Sequence, residues 1–231
     1  MNPNFNIGLK SRPEKKAIIL EVIVVLGVLF VPSFVQQILV ANTGLSMFLG
    51  TDQLLTRFVI DCTHVLLIAY VAFGVRQAIP ISKLGFDVKW DIPLGVLLFC
   101  CGRVLWLGIC PLLTGKGAPL AIPIHQWDSP LWTLGLMAAT VALSAFYQEL
   151  LMRWYLISRL EQVGLRTWGS ILASTTLFAA WHIYEGKAGV VHAFCAGILY
   201  SACFVWTRRL GPIVIGHFLW NFVAFLQVGH A

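Results

Sequence analysis

Apolar residues run along this chain in long unbroken stretches, not in the short alternations of a soluble fold. Seven such stretches stand out, near residues 17–41, 54–78, 91–113, 130–158, 168–185, 188–207 and 211–228. About 20 apolar residues in a helix cross the hydrocarbon core of a bilayer. Turn formers separate the runs: Asn42-Thr43-Gly44, Pro80, Thr114-Gly115-Lys116-Gly117, Ser129-Pro130, Gly186 and Gly211-Pro212. The pattern predicts an all-α, polytopic transmembrane helical bundle of about seven spans. About three spans fall in residues 1–129 and about four in 130–231, together forming one membrane domain. The first run follows Lys10, Arg12, Lys15 and Lys16 and exceeds the 7–15 residue apolar core of a cleaved signal peptide, so it reads as an uncleaved first span.

Composition agrees. Of 231 residues, 58% are hydrophobic and 11% charged, with a mean hydropathy of +0.82. Soluble domains carry about 25% charged residues, so the lipid bilayer is the solvent for most of this surface. The net charge of +6 is no sign of nucleic-acid binding, because the basic residues fall between apolar runs with no basic patch among exposed aromatics. Threading the spans alternately puts Lys10, Arg12, Lys15, Lys16, Arg76, Lys83, Lys89, Arg159, Arg166, Arg208 and Arg209 on one side and only Lys116 and Lys187 on the other. That bias makes the amino terminus cytoplasmic. A bacterial inner membrane is the simplest setting. The six cysteines lie in apolar stretches with no CxxC pair and read as small buried hydrophobes.

Five polar residues inside three of the runs change the picture. They are Glu149 and Arg153 in the fourth, His182 at the end of the fifth, and His217 and Asn221 in the seventh. An ionisable side chain at membrane depth costs about 3 kcal/mol on insertion scales unless it is paired or lines a wet cavity. Three separate segments carrying that cost suggest a single shared site. Glu149 and Arg153 are four residues apart and can pair on one helix face. His217 and Asn221 are likewise one turn apart. A carboxylate and an imidazole could activate a water, while a second imidazole and an amide hold the tetrahedral oxyanion. There is no GxSxG elbow and no HExxH. Zinc held by His182, His217 and Glu149 is a chemically competent alternative.

These residues resemble the motifs of the CPBP intramembrane protease family, which includes the type 2 CAAX prenyl endopeptidases and the bacterial Abi proteins. Its pattern is Glu-Glu-x-x-x-Arg, Phe-x-x-x-His and His-x-x-x-Asn, in that order on separate helices. Here Gln148 to Arg153, Phe178 to His182 and His217 to Asn221 match, apart from the opening position. The resemblance covers roughly residues 130–228. It implies a glutamate-type endopeptidase acting on a membrane-associated protein or peptide, in a leader or near a carboxyl-terminal anchor. The first Glu and the Phe-motif His would activate water, and the last His and Asn would support the oxyanion. The metalloprotease label once given to the family keeps zinc in view.

Gln148 departs from the pattern: it stands where the family's general base sits, and an amide cannot take a proton. Three explanations compete. Glu149 supplies the base, which is the reading we favour; the chain is a catalytically inactive relative, serving as an immunity factor or scaffold; or Gln148 is an introduced replacement of Glu.

Other polar groups in the runs have structural readings. Arg57, Asp61 and His64 share one stripe of the second span, where Arg57–Asp61 pairing, or Asp61 reaching Arg103, would satisfy the charges. His192 is a candidate to support the main site from behind. Trp127, Trp132, Trp181 and Trp206 lie near span ends, where interface anchoring is the default. Gly189, Ala193, Gly197 and Ser201 form a small-residue stripe for close helix packing. One difficulty is depth. Counted from the cytoplasmic ends, His217 lies about 9 Å deep and His182 about 21 Å, and a shared site needs them closer.

Overall fold

The computed structural model describes residues 15–43, 51–75, 86–115 and 131–228. Lys10, Arg12, Arg76, Lys83, Lys116, Trp127 and the turn signals at Gly44, Pro80, Gly117 and Ser129-Pro130 lie outside the described residues. The elements are α1 (Lys15–Leu29), α2 (Val31–Thr43), α3 (Thr51–Ala69, continued by a π-helical turn Tyr70–Val75), α4 (Val88–Thr114), α5 (Leu131–Glu149, continued by a π-helical stretch Leu150–Ile157), α6 (Ser158–Val163), α7 (Thr167–Trp181, followed by a 3-10 turn Ile183–Glu185), α8 (Gly186–Thr207) and α9 (Gly211–Val228). No strand occurs among the described residues, and the chain is an all-α bundle.

The seven runs appear as seven helical rods. Five of them are long and apolar enough to cross a membrane: 15–42, 51–73, 88–114, 132–163 and 183–207. The other two, α7 and α9, are shorter. Large apolar side chains such as Leu20, Ile23, Val59, Leu66, Val104 and Leu112 face outward. In water that surface would aggregate; in lipid it is the expected exterior. This is an integral membrane protein.

The first rod is broken at Phe30. Pro32 has no N–H to give the carbonyl one turn before it, which kinks a helix. At the break, Ser33 Oγ and Tyr147 Oη each donate to the Leu29 carbonyl at 3.3 Å. The α5 rod is held to α1 by Arg159, fully buried, whose Nε lies 2.9 Å from Glu21 Oε1, and by Tyr155 Oη donating to the same oxygen at 3.0 Å.

Two close approaches set the inner packing. Helices α4 and α9 meet through glycine: a Cβ on Gly95 would lie 2.6 Å from Ile215 Cβ, and one on Gly216 would lie 3.0 Å from Leu98 Cβ and 3.1 Å from the Gly95 carbonyl. At the mouth of that pair, Arg209 forks onto buried Asp91 with bonds of 2.8 and 2.9 Å. Helices α7 and α8 meet along the small-residue stripe, all four members of which are buried. There a Cβ on Gly197 would come within 3.0 Å of Thr175 Cγ2 and 3.5 Å of an Arg153 guanidinium nitrogen.

Candidate active site

Helices α5, α7 and α9 bring the three motifs together. Glu149, the last residue of α5, is fully buried. His217, on the first turns of α9, donates its Nδ1 proton to Glu149 Oε1 at 2.6 Å. Arg153, inside the π-helical stretch, places Nη1 3.2 Å from Oε1 and 3.1 Å from Oε2 of the same carboxylate. The pair therefore carries its charges in a fully buried setting, where removing either partner would leave a costly lone ion. The widened stretch around Arg153 is tied to α7 by Ser174 Oγ, which donates to the Met152 carbonyl at 2.7 Å.

Phe178 is the hub between the motifs. Its ring lies under the Arg153 guanidinium at 4.1 Å, a cation–π contact that shares the charge's desolvation. Tyr200 flanks the same guanidinium at 5.9 Å. The Phe178 ring also touches both imidazoles, with centroids 4.6 Å from His182 and 5.7 Å from His217. The two histidines accordingly lie less than two helical turns apart, each reached from one ring. Phe178, one turn before His182, bridges the two rings.

His182 caps α7 with φ −97° and ψ 19°, outside helical geometry. Its Nδ1 lies 2.8 Å from the Phe178 carbonyl. A carbonyl can only accept, so Nδ1 carries the proton and Nε2 keeps its lone pair. That is the tautomer needed to orient or deprotonate a water.

A cleft of about 80 Å³ opens beside this network, lined by Thr140, Val141, Ser144, Gln148, His182, Tyr184, Glu185, Trp220, Asn221, Ala224 and Phe225. The space is polar enough and large enough for several waters. The expected site residues thus divide. Gln148, His182 and Asn221 face the cleft, whereas Glu149, Arg153 and His217 form the buried network behind it. Gln148 and Glu149 are neighbours on one helix, and that 100° step decides which of them meets the cleft.

The supporting groups fall around the cleft. Arg57 pairs with Asp61 at 3.1 Å and also donates to Ser144 Oγ at 3.3 Å, reaching a cleft-lining residue from α3. His64 packs on Tyr147 with ring centroids 4.8 Å apart. Arg103 does not reach Asp61; it lies over Trp220 at 5.5 Å. His192 stacks on Trp220 at 4.3 Å and donates from Nε2 to the Gly102 carbonyl at 3.1 Å. It braces the residue before Asn221 and does not line the cleft.

Two details depart from the sequence reading. Trp181 is buried against Phe30 and Tyr147, so it is a core residue and not an interface anchor, while Trp132 and Trp206 are exposed. Tyr200, Ser144, Tyr184 and Glu185 were not singled out by sequence. Glu185 left one signal: it is the sole carboxylate between residue 162 and the end of the chain.

Among the described residues, no three His, Cys, Asp or Glu side chains come close enough to share an ion. Glu149 and His217 engage each other, and the adjacent guanidinium would repel a cation. The donor set does not fit zinc.

Comparison with curated proteins and with solved structures returned no match. Residues 130–223 match the family model described as Type II CAAX prenyl endopeptidase Rce1-like, in agreement with the family that the three motifs resemble.

Proposed function

We propose that this protein is an intramembrane endopeptidase that hydrolyses a peptide bond of a membrane-associated protein or peptide in the cleft between α5, α7 and α9. The observation that carries this reading is the meeting of Gln148, His182 and Asn221 on one cleft, backed by the 2.6 Å Glu149–His217 bond. In this reading a water is held by Gln148 and by the free Nε2 of His182. It attacks the scissile carbonyl, whose oxygen takes a hydrogen bond from the Asn221 amide, the nearest preorganised donor for the oxyanion.

The sequence reading gave Glu149 the base role. Its full burial and its engagement with Arg153 and His217 favour a different one, that of holding His217 in place. The carboxylate cannot leave that pair without stranding a buried guanidinium.

Orientation belongs to the same proposal. The bias of basic residues puts Lys89, Arg159 and Arg208 on the cytoplasmic side, and Lys187, beside the cleft-lining turn, outside. In a bacterium this is the inner membrane.

The test uses purified full-length protein and an internally quenched peptide bearing a farnesylated Cys–aliphatic–aliphatic–Met carboxyl terminus, with an unlipidated control and an apolar-anchored leader-type peptide. Cleavage of any one by wild type, lost in Asn221→Ala, is the expected result. Intact peptides throughout would favour the inactive scaffold that Gln148 also suggests.

A further inference from the structure

We propose that Glu185 supplies the proton-accepting carboxylate that position 148 lacks. This rests on the peptidase reading above and adds the identity of its base.

Among the described residues, each buried carboxylate of the bundle, and the largely shielded Glu21, is neutralised by an arginine. Asp61 pairs with Arg57, Asp91 with Arg209, Glu149 with Arg153, and Glu21 with Arg159. Glu185 has no arginine partner among the described residues; it accepts a neutral hydrogen bond from the Tyr184 hydroxyl, and it lines the cleft with Gln148 and His182. An ion-paired carboxylate is a poor proton acceptor, because taking the proton would abolish its pairing. Glu185 is the one cleft carboxylate free of that penalty.

Its placement is built, not incidental. Glu185 is three residues after His182, and its N–H donates to the His182 carbonyl at 3.0 Å. In a 3-10 turn, side chains three apart eclipse one another, so the acid and the imidazole rise from the same edge of the turn. The next residue, Gly186, has φ 73° and ψ −172°, a conformation essentially restricted to glycine. Gly189, one turn on, leaves the room in which the carboxylate rests: a Cβ there would lie 2.7 Å from Glu185 Oε2. Two glycines and a tight turn thus hold one acid at the cleft.

The step balances without any further reagent. A water between His182 and Glu185 gives one proton to the Glu185 carboxylate as its oxygen bonds to the scissile carbonyl carbon, and the carbonyl electrons move onto the oxyanion. The oxyanion then collapses and the C–N bond breaks. Glu185 returns the proton to the leaving nitrogen, so the products are one carboxyl and one amine terminus.

The experiment measures cleavage of the three peptides named above by wild type, Glu185→Gln, Gln148→Glu and the double variant. Loss of a general base costs about 10²–10⁴ in rate. Glu185→Gln should therefore lose at least about 10²-fold in kcat with KM within about twofold. Adding Gln148→Glu to it should restore the rate, which a packing role for Glu185 would not allow. Gln148→Glu alone should gain less than about tenfold, since a base is already present. That arm also decides the matter if Glu185→Gln does not fold. A gain of about 10²-fold or more in Gln148→Glu alone, or a Glu185→Gln enzyme with wild-type kcat, overturns the role of Glu185 and leaves the peptidase reading standing. No cleavage by wild type or Gln148→Glu overturns both.

Discussion

Glu149 and His217, 68 residues apart in sequence, are joined by a 2.6 Å bond between a carboxylate oxygen and an imidazole nitrogen, both almost wholly shielded from solvent. The bond fastens the end of α5 to the start of α9. Arg153 closes it into a three-residue network, so charge, helix packing and the orientation of His217 depend on one another.

That dependence predicts coupling. Breaking a buried pair by removing one partner costs about 3–5 kcal/mol, because the other charge is left alone. Glu149→Gln and Arg153→Leu should each lower the melting temperature in detergent strongly. The double variant should lose markedly less than the two single losses together. Additive losses would show that the two charges do not interact.

Glycine at the α4–α9 contact should be irreplaceable where the backbones meet and indifferent elsewhere. Gly95→Ala places a methyl 2.6 Å from Ile215 Cβ and 2.9 Å from the Pro212 carbonyl, and Gly216→Ala meets Leu98 and the Gly95 carbonyl. Each should cost about 1–3 kcal/mol and disturb His217, the neighbour of Gly216. Gly108→Ala, with open space around it, is the control and should be neutral or slightly stabilising. Thermal unfolding of the three variants checks the ranking.

Phe178 touches the guanidinium and both imidazoles at once. Phe178→Leu keeps the site apolar but removes the π face. A desolvated cation–π contact is worth about 2 kcal/mol, so stability should fall by about that much, and activity should fall as the two histidines lose their common wall. A variant with unchanged melting temperature would contradict the contact's role.

A chelator should leave cleavage unchanged, since the donor set offers no three-ligand site among the described residues. Peptide cleavage after treatment with EDTA or 1,10-phenanthroline, alongside metal analysis of the purified protein, checks this. Loss of activity restored by zinc would contradict it.

Most of the architecture was legible in the sequence because lipid imposes a simple rule: long apolar runs become helices, and turn formers end them. The run at 188–207 became α8 at 186–207, and that at 211–228 became α9 with the same ends. The break at Phe30 was missed, although Pro32 announced it, because hydropathy alone does not register a missing N–H. The π-helical stretch after Glu149 has no periodicity signature, since every residue in it is buried.

The site was legible as a set of residues but not as a layout. Spacing put Glu149 with Arg153 and His217 with Asn221. It could not say that Gln148 would face the cleft while Glu149 turned inward, since that depends on how α5 is rotated against α7 and α9. Nor could it place Glu185 beside His182, because a 3-10 turn, and not a helical span, sets that geometry. Trp181 shows the same limit: it lies at a span end by sequence and in the core by packing.

The most direct test of the account is cleavage of the membrane-anchored peptides by wild type and by His182→Ala, with melting temperature recorded for both. His182 meets the cleft through an imidazole whose free nitrogen has no packing duty. The account predicts a loss of at least about 10²-fold in kcat with a melting temperature close to wild type. A His182→Ala enzyme that cleaves at the wild-type rate would contradict it.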